Sequence, residues 1–187
     1  LAVFDKALAT NPDDAIALTF KGTLLNDAHQ LDEAKKCLER ALEIDPYNAN
    51  SQHYYGALLS NLGRHNAALS HFRNALDIDP GQIDARIDLA RTLTDMKLHI
   101  AAVDELETAT EMQPEYSSAH YRLGMALFYK GDKEKAAKAL RRSIELSPDT
   151  DEARHFLAIA EGKTTDTAPR RSVADVFDSY ASRFEKI

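Results

Sequence analysis

Seven histidines, one cysteine and 30 Asp and Glu residues are the groups in this 187-residue chain that could do acid–base, metal or nucleophilic chemistry. A metal site needs ligands at short, fixed spacing with further donors converging on them. His29, His53, His65, His71, His99, His120 and His155 are instead spread along the chain, and no pair forms a metal-ligand motif with a matching acid. His65 and His99 stand 34 residues apart at one turn position and read as exposed turn residues. Cys37 is alone, which excludes an internal disulfide, and reads as a small helix residue without a redox role. The acids Asp104, Glu105 and Glu107 read as a solvated helix face, since paired carboxylates doing acid–base work need a closed cleft. There is no Gly-rich phosphate loop. The expectation is a non-catalytic chain with no metal and no cofactor of its own.

Composition narrows the class further. A net charge of −7 argues against a nucleic-acid partner, which calls for a basic face. No run of about 18 apolar residues predicts a membrane span, and no basic-then-apolar segment opens the chain. A cytoplasmic address is the default expectation. Only 7 Gly and 6 Pro argue against a turn-dense all-β protein. The chain begins at Leu1 rather than Met, as a fragment or processed form would.

What would position any functional residue is a repeat. Pro12, Pro46, Pro80, Pro114 and Pro148 are spaced 34 apart, closing the segments ALATNP, ALEIDP, ALDIDP, ATEMQP and SIELSP. Within residues 15–48, Leu18, Gly22 and Leu25 form one helical stripe, and Ala34, Leu38 and Ala41 a second. His29 and Gln30 lie between them, where later units carry GlyArg (63–64) or GlyAsp (131–132). Each unit therefore reads as two antiparallel helices of about 12–14 residues, the second ended by its proline. Gly22, Gly56, Ala90 and Gly124 share one position of the first helix, and Ala34, Ala68, Ala102 and Ala136 one of the second. Side chains this small let two helix axes approach, with Leu25, Leu59, Leu93 and Leu127 filling the space beside them.

These residues resemble the tetratricopeptide repeat: a 34-residue helix–turn–helix with Leu-Gly, then Ala-x-x-x-Phe, then Pro. Unit 49–82 matches with Gly56, Leu59, Ala68, Phe72, Ala75 and Pro80, and unit 117–150 with Leu123, Gly124, Leu127, Ala136, Leu140 and Pro148. Unit 15–48 departs by placing Lys21 at an apolar position, unit 83–116 by using Ala90 for Gly, and unit 117–150 by using Ser143 for Ala. The resemblance implies an all-α, right-handed superhelix, an α-α solenoid. Its predicted organisation is a half repeat 1–14 (second helix only), repeats 15–48, 49–82, 83–116 and 117–150, and a half repeat 151–162 (first helix only). A truncated array bares an apolar face, so Phe4 and Leu8 are expected to lack a covering helix, and end-to-end self-association is one way to cover it.

The resemblance also implies a concave groove built from first helices, where a protein or peptide would bind. Its expected lining is Thr19, Thr23, His53, Tyr54, Asp88, Arg91, Tyr121, Arg122, Met125, Phe128, Tyr129, His155 and Phe156. The third repeat is acidic, and the fourth with the last half repeat is aromatic, a suitable floor for an apolar helix or extended peptide. Chaperone-binding members clamp a C-terminal carboxylate with Lys, Asn and Arg. Those places here hold Thr19, Thr23, Tyr54, Asp84 and Asp88, whose carboxylates would repel it. The Asn ladder of glycosyltransferase-type arrays is likewise missing, its positions reading Phe20, Tyr54, Asp88, Arg122 and Phe156.

The period stops at Pro169, one residue before Arg170, which falls where a second helix would need its Ala. Residues 163–171 read as a linker. Ser172 and Asp175 form a capping box, and Val173, Phe177, Tyr180, Phe184 and Ile187 follow as one apolar seam on a helix 172–187 that caps the array or docks into its own groove. Val176, Phe177, Asp178, Tyr180, Ala181, Phe184 and Glu185 resemble the lead-in to a class I S-adenosylmethionine-dependent methyltransferase domain, which in one bacterial group follows tetratricopeptide repeats. The resemblance implies a scaffold that recruits or orients a protein substrate for such a domain, with S-adenosylmethionine bound beyond these residues. The alternative is a stand-alone adaptor whose tail is only a cap.

Overall fold

In the computed structural model, which describes residues 1–163, ten α-helices and no strand are found among the described residues. The expected helix 172–187, and the linker before it apart from Lys163, lie outside them. The described helices form two compact units, residues 1–112 and residues from 113 onward.

The first unit holds α1 (Ala2–Thr10), α2 (Ala15–Asp27), α3 (Leu31–Ile44), α4 (Ala49–Asn61), α5 (His65–Ile78), α6 (Ile83–Asp95) and α7 (His99–Met112). Helices pair as α2 with α3, α4 with α5 and α6 with α7. α1, α3 and α5 also pack on the next first helix, and the first helices adjoin as α2 with α4 and α4 with α6. The second unit holds α8 (Ser117–Lys130), α9 (Lys133–Leu146) and α10 (Asp151–Ala160), with α9 packed against both others.

The small residues do the work that their spacing predicts. Ala34, Ala68, Ala102 and Ala136 have no exposed surface. A methyl added at Gly22 would sit 2.6 Å from Leu38, at Gly56 2.9 Å from the Phe72 ring, and at Gly124 2.6 Å from Leu140. The first helix thus gives up its side chain so that the second can insert a large one. Two departures from the repeat pattern have local partners. Lys21, on an otherwise apolar position, reaches Asp5 of α1 at 2.7 Å. Ser143 is fully buried and shares its hydroxyl with Ser117 at 3.1 Å, while Ser117 also donates to its carbonyl.

The end of the array corrects one expectation. Phe4 is half-buried and stacks on Phe20 at 6.0 Å, and Leu8 is half-buried as well. The bare surface belongs to α2 and the outer side of α1: Ile16, Leu24 and Val3 stay exposed. Leu24 is 41% exposed, whereas the equivalent Leu58 and Thr92, each covered by a preceding first helix, are at 0%.

Each helix pair closes on one turn. His29, Gly63, Lys97 and Gly131 all adopt positive φ (56°, 71°, 63° and 95°), and the next residue donates back five residues, as Arg64 does to the Leu59 carbonyl at 2.8 Å. This is the left-handed helix closure that favours glycine. α10 closes the same way on Gly162 (φ 71°), three positions earlier in its repeat. His29 and Lys97 carry a side chain into this conformation at a cost of about 1 kcal/mol each. His29→Gly and Lys97→Gly are therefore expected to raise the unfolding free energy by about that much apiece, seen as a higher denaturant midpoint at unchanged slope, and Gly63→Ala to lower it similarly.

Candidate functional site

The expected groove residues divide between the two units, and the two faces differ in kind. In the first unit the first helices α2, α4 and α6 are stitched by polar side chains. Thr19 donates to the Ala15 carbonyl at 2.7 Å and meets the Ser51 hydroxyl at 2.6 Å. Ser60 meets Thr92 at 2.9 Å, and Asn61 donates to Asn26 at 3.2 Å. His53 Nε2 lies 2.9 Å from Asp88 Oδ2, and Gln82 donates to Asn50 at 2.7 Å. A hydroxyl or amide held between two helices must find a partner, because burying it unpaired costs about 1–3 kcal/mol. The pairs Thr19–Ser51, Ser60–Thr92, Asn61–Asn26 and His53–Asp88 each join neighbouring first helices.

This seam withdraws two residues from the expected lining. Thr19 is 2% exposed and His53 5%, so neither offers a surface to a ligand. The His53 ring is clasped by Tyr54 at 4.8 Å and Phe72 at 6.0 Å. Thr23 is half-buried, its hydroxyl donating to the Thr19 carbonyl. Asp88 has both oxygens engaged, one with His53 and the other with Arg91 Nε at 3.3 Å; Arg91 also approaches Asp95 at 3.9 Å. Ser51, Thr92, Asn61 and Gln82 belong to the seam and were not predicted. Their signal is an offset of 32 or 35 residues between polar partners, just off the 34-residue period.

Burial pulls the Asp88 carboxyl upward, but the hydrogen bond from His53 and the Arg91 charge outweigh it and hold the group below its ordinary value of 3.8. A depressed folded pKa contributes stability that is fully present above the unfolded value and lost as pH falls through the folded one. Asp88→Asn should cost about 1–2 kcal/mol at neutral pH, with the deficit shrinking in acid as wild-type Asp88 itself protonates. Unfolding midpoints of both proteins across the acid range check this; a constant deficit would contradict it.

In the second unit the face is aromatic. Tyr121, Arg122, Met125, Phe128 and Tyr129 project from α8, and His155 and Phe156 from α10. Phe128 meets Phe156 edge-on at 5.8 Å and Tyr129 at 5.7 Å, while His155 meets Phe156 at 5.6 Å. The Arg122 guanidinium lies over the Tyr121 ring at 5.7 Å. Burial raises the Tyr121 hydroxyl's pKa. Most of these side chains are half-buried, and Tyr129 is 49% exposed. Among the described residues, no three His, Cys, Asp or Glu side chains converge as metal ligands, and no helix is long and apolar enough to cross a membrane.

Tandem helix–turn–helix units of this register define an α-helical repeat protein. Family models described as tetratricopeptide repeat match residues 1–49 and 117–150, and the model for anaphase-promoting complex, cyclosome, subunit 3 matches residues 27–109. The chain is built of tetratricopeptide repeats, and its all-α fold is theirs. A search of curated proteins finds no match. Among solved structures, YrrB, a tetratricopeptide protein with an unusual peptide-binding site, is 27% identical at a TM-score of 0.67, over 82% of this chain and 79% of its own. The Cut9 and Hcn1 complex of the anaphase-promoting complex gives a TM-score of 0.80 at 18% identity, covering 85% of this chain and 32% of that one. The first tetratricopeptide domain of Spaghetti (RPAP3), bound to the HSP90 peptide SRMEEVD, gives 0.60 at 24% identity, covering 61% and 90%.

Proposed function

We propose that this chain is a non-catalytic protein-binding scaffold whose ligand face is the aromatic surface of α8 and α10. The observation that carries the reading is the contrast between the two units. The polar groups on α2, α4 and α6 are largely spent on one another, whereas Phe128, Tyr129 and Phe156 stand in partial exposure beside Arg122. Aromatic and Arg side chains are the groups on which binding energy concentrates. An apolar segment with its own aromatic residues is the ligand that such a floor accepts. YrrB and the RPAP3 domain, which share the fold, are peptide binders by description. A free C-terminal carboxylate is not the expected ligand, because Asp84 and Asp88 occupy the positions where a clamp would place its cationic and amide groups.

Tyr121→Ala with Phe128→Ala is expected to weaken binding of an amphipathic peptide carrying Phe at i, i+4 and i+7 by roughly 30-fold, the effect of losing about 2 kcal/mol. Titration calorimetry reads the affinity, and circular dichroism checks that the helices persist. Arg122→Glu changes charge without removing an aromatic and should weaken an acidic version of the peptide most. Unchanged affinity in both variants would remove the face from the reading.

A finer reading makes the repeats the substrate-recruiting part of an S-adenosylmethionine-dependent methyltransferase. What favours it is the run Val176, Phe177, Asp178, Tyr180, Ala181, Phe184 and Glu185. Binding of S-adenosylmethionine by the product of the complete gene is the expected result. A gene product that binds none would leave the adaptor reading.

A further inference from the structure

We propose that the partner of the α8–α10 aromatic face is an amphipathic protein helix whose apolar stripe carries one carboxylate two turns away from an aromatic residue, and that Arg122 selects this partner by binding the carboxylate. The inference deepens the reading of that face as the ligand site and rests on it. Three observations carry it.

The first is a cation without an anion. Within the second unit, Arg141 meets Glu161 at 2.5 Å, Arg142 meets Glu115 and Glu145 at 3.2 Å, and Arg154 meets Asp151 at 3.0 Å. Arg122 instead lies half-buried on the Tyr121 ring and pairs with no carboxylate among the described residues. A charge partly removed from water is screened less than a solvated one, so an arriving carboxylate gains more here than at an open surface.

The second is the charge of the helix that holds it. α8 carries Arg122 and Lys130 and no acid, in a chain whose net charge is −7. The first helix of the preceding repeat, α6, carries Asp84, Asp88 and Asp95 against Arg86 and Arg91. Lys130 lies off the ring stripe at the end of α8, which leaves Arg122 as the cation that α8 sets among the rings. Glu152 of α10 is felt at Tyr121, where burial first and then this carboxylate raise the hydroxyl's pKa and Arg122 lowers it, but Glu152 forms no ion pair with Arg122.

The third is spacing. Arg122, Met125 and Tyr129 stand three and seven residues apart, and seven residues make nearly two turns, so the three share one line along α8. At 1.5 Å per residue the guanidinium and the Tyr129 ring are rooted about 10 Å apart along the axis. Phe128 borders this line and carries the floor across to Phe156 at 5.8 Å. A helix laid along it matches the floor with the same spacing: Glu or Asp against Arg122, and Phe seven positions away against Tyr129 and Phe128. A carboxylate placed over the rings instead would meet their negative faces.

The test uses the full chain and two isomeric helical peptides. One bears Glu at i with Phe at i+4 and i+7; the other exchanges that Glu with an Ala at i+2, which turns the carboxylate to the opposite side at equal charge. Wild type is expected to bind the first at least 10-fold more tightly in titration calorimetry, with the preference shrinking as salt is added. Arg122→Gln should abolish the preference, and Arg122→Glu should transfer it to a peptide with Lys at i; circular dichroism checks that both variants keep their helices. Equal affinity for the two isomers, or a preference that survives Arg122→Gln, overturns the inference. If the peptide with Phe at i, i+4 and i+7 still binds in a Tyr121- and Phe128-dependent manner, the ligand face outlives that result; if no peptide binds, both readings fall.

Discussion

The structure depends on one contact repeated at 34-residue intervals, in which a first helix gives up its side chain so that a second helix can insert a large one. Gly22 faces Leu38, Gly56 faces Phe72 and Gly124 faces Leu140, each so closely that a methyl would collide with the partner. Interiors pack at crystalline density, so the pair must match in size as well as in polarity. The buried alanines on the second helices complete the approach. Once the axes are this close, the turn between them has little freedom, which is why His29 and Lys97 are held in a conformation that glycine adopts at lower cost.

Close packing within a pair leaves the first helices to meet their counterparts in neighbouring repeats, and there the two units part. α2, α4 and α6 meet through hydroxyls, amides and the His53–Asp88 pair. Such a seam satisfies buried groups and sets register, but it leaves few of them for a ligand. α8 and α10 carry rings that touch edge-on and stay partly exposed. The same scaffold positions thus serve cohesion in one place and an open apolar surface in another, decided by side-chain type alone.

Departures from the repeat pattern are informative because each has a local physical answer. Lys21 on an apolar position would be costly by itself, and the Asp5 carboxylate meets it. Ser143 replaces a buried alanine, and Ser117 on the facing helix takes its hydroxyl. Neither partner belongs to the repeat consensus. Both substitutions occur as pairs, so a pattern read one position at a time registers only half of each.

The repeat, the two helices of each unit, the small residues at their crossing and the all-α class were legible in the sequence, because each rests on contacts within one unit or with the next. The placement of Gly22, Ala34 and Leu38 required nothing but period and size. The aromatic character of the last first helices was legible for the same reason, since it is composition at a fixed register. What only the tertiary structure decided is which polar residues of the first-helix face remain open. Thr19 and His53 share the helical register of exposed residues, yet Ser51 and Asp88 on adjacent helices take them out of solvent. Those partners lie 32 and 35 residues away, and the offset is set by how neighbouring first helices rotate and slide against each other. That rotation is a property of packed side chains and has no signature in the 34-residue period.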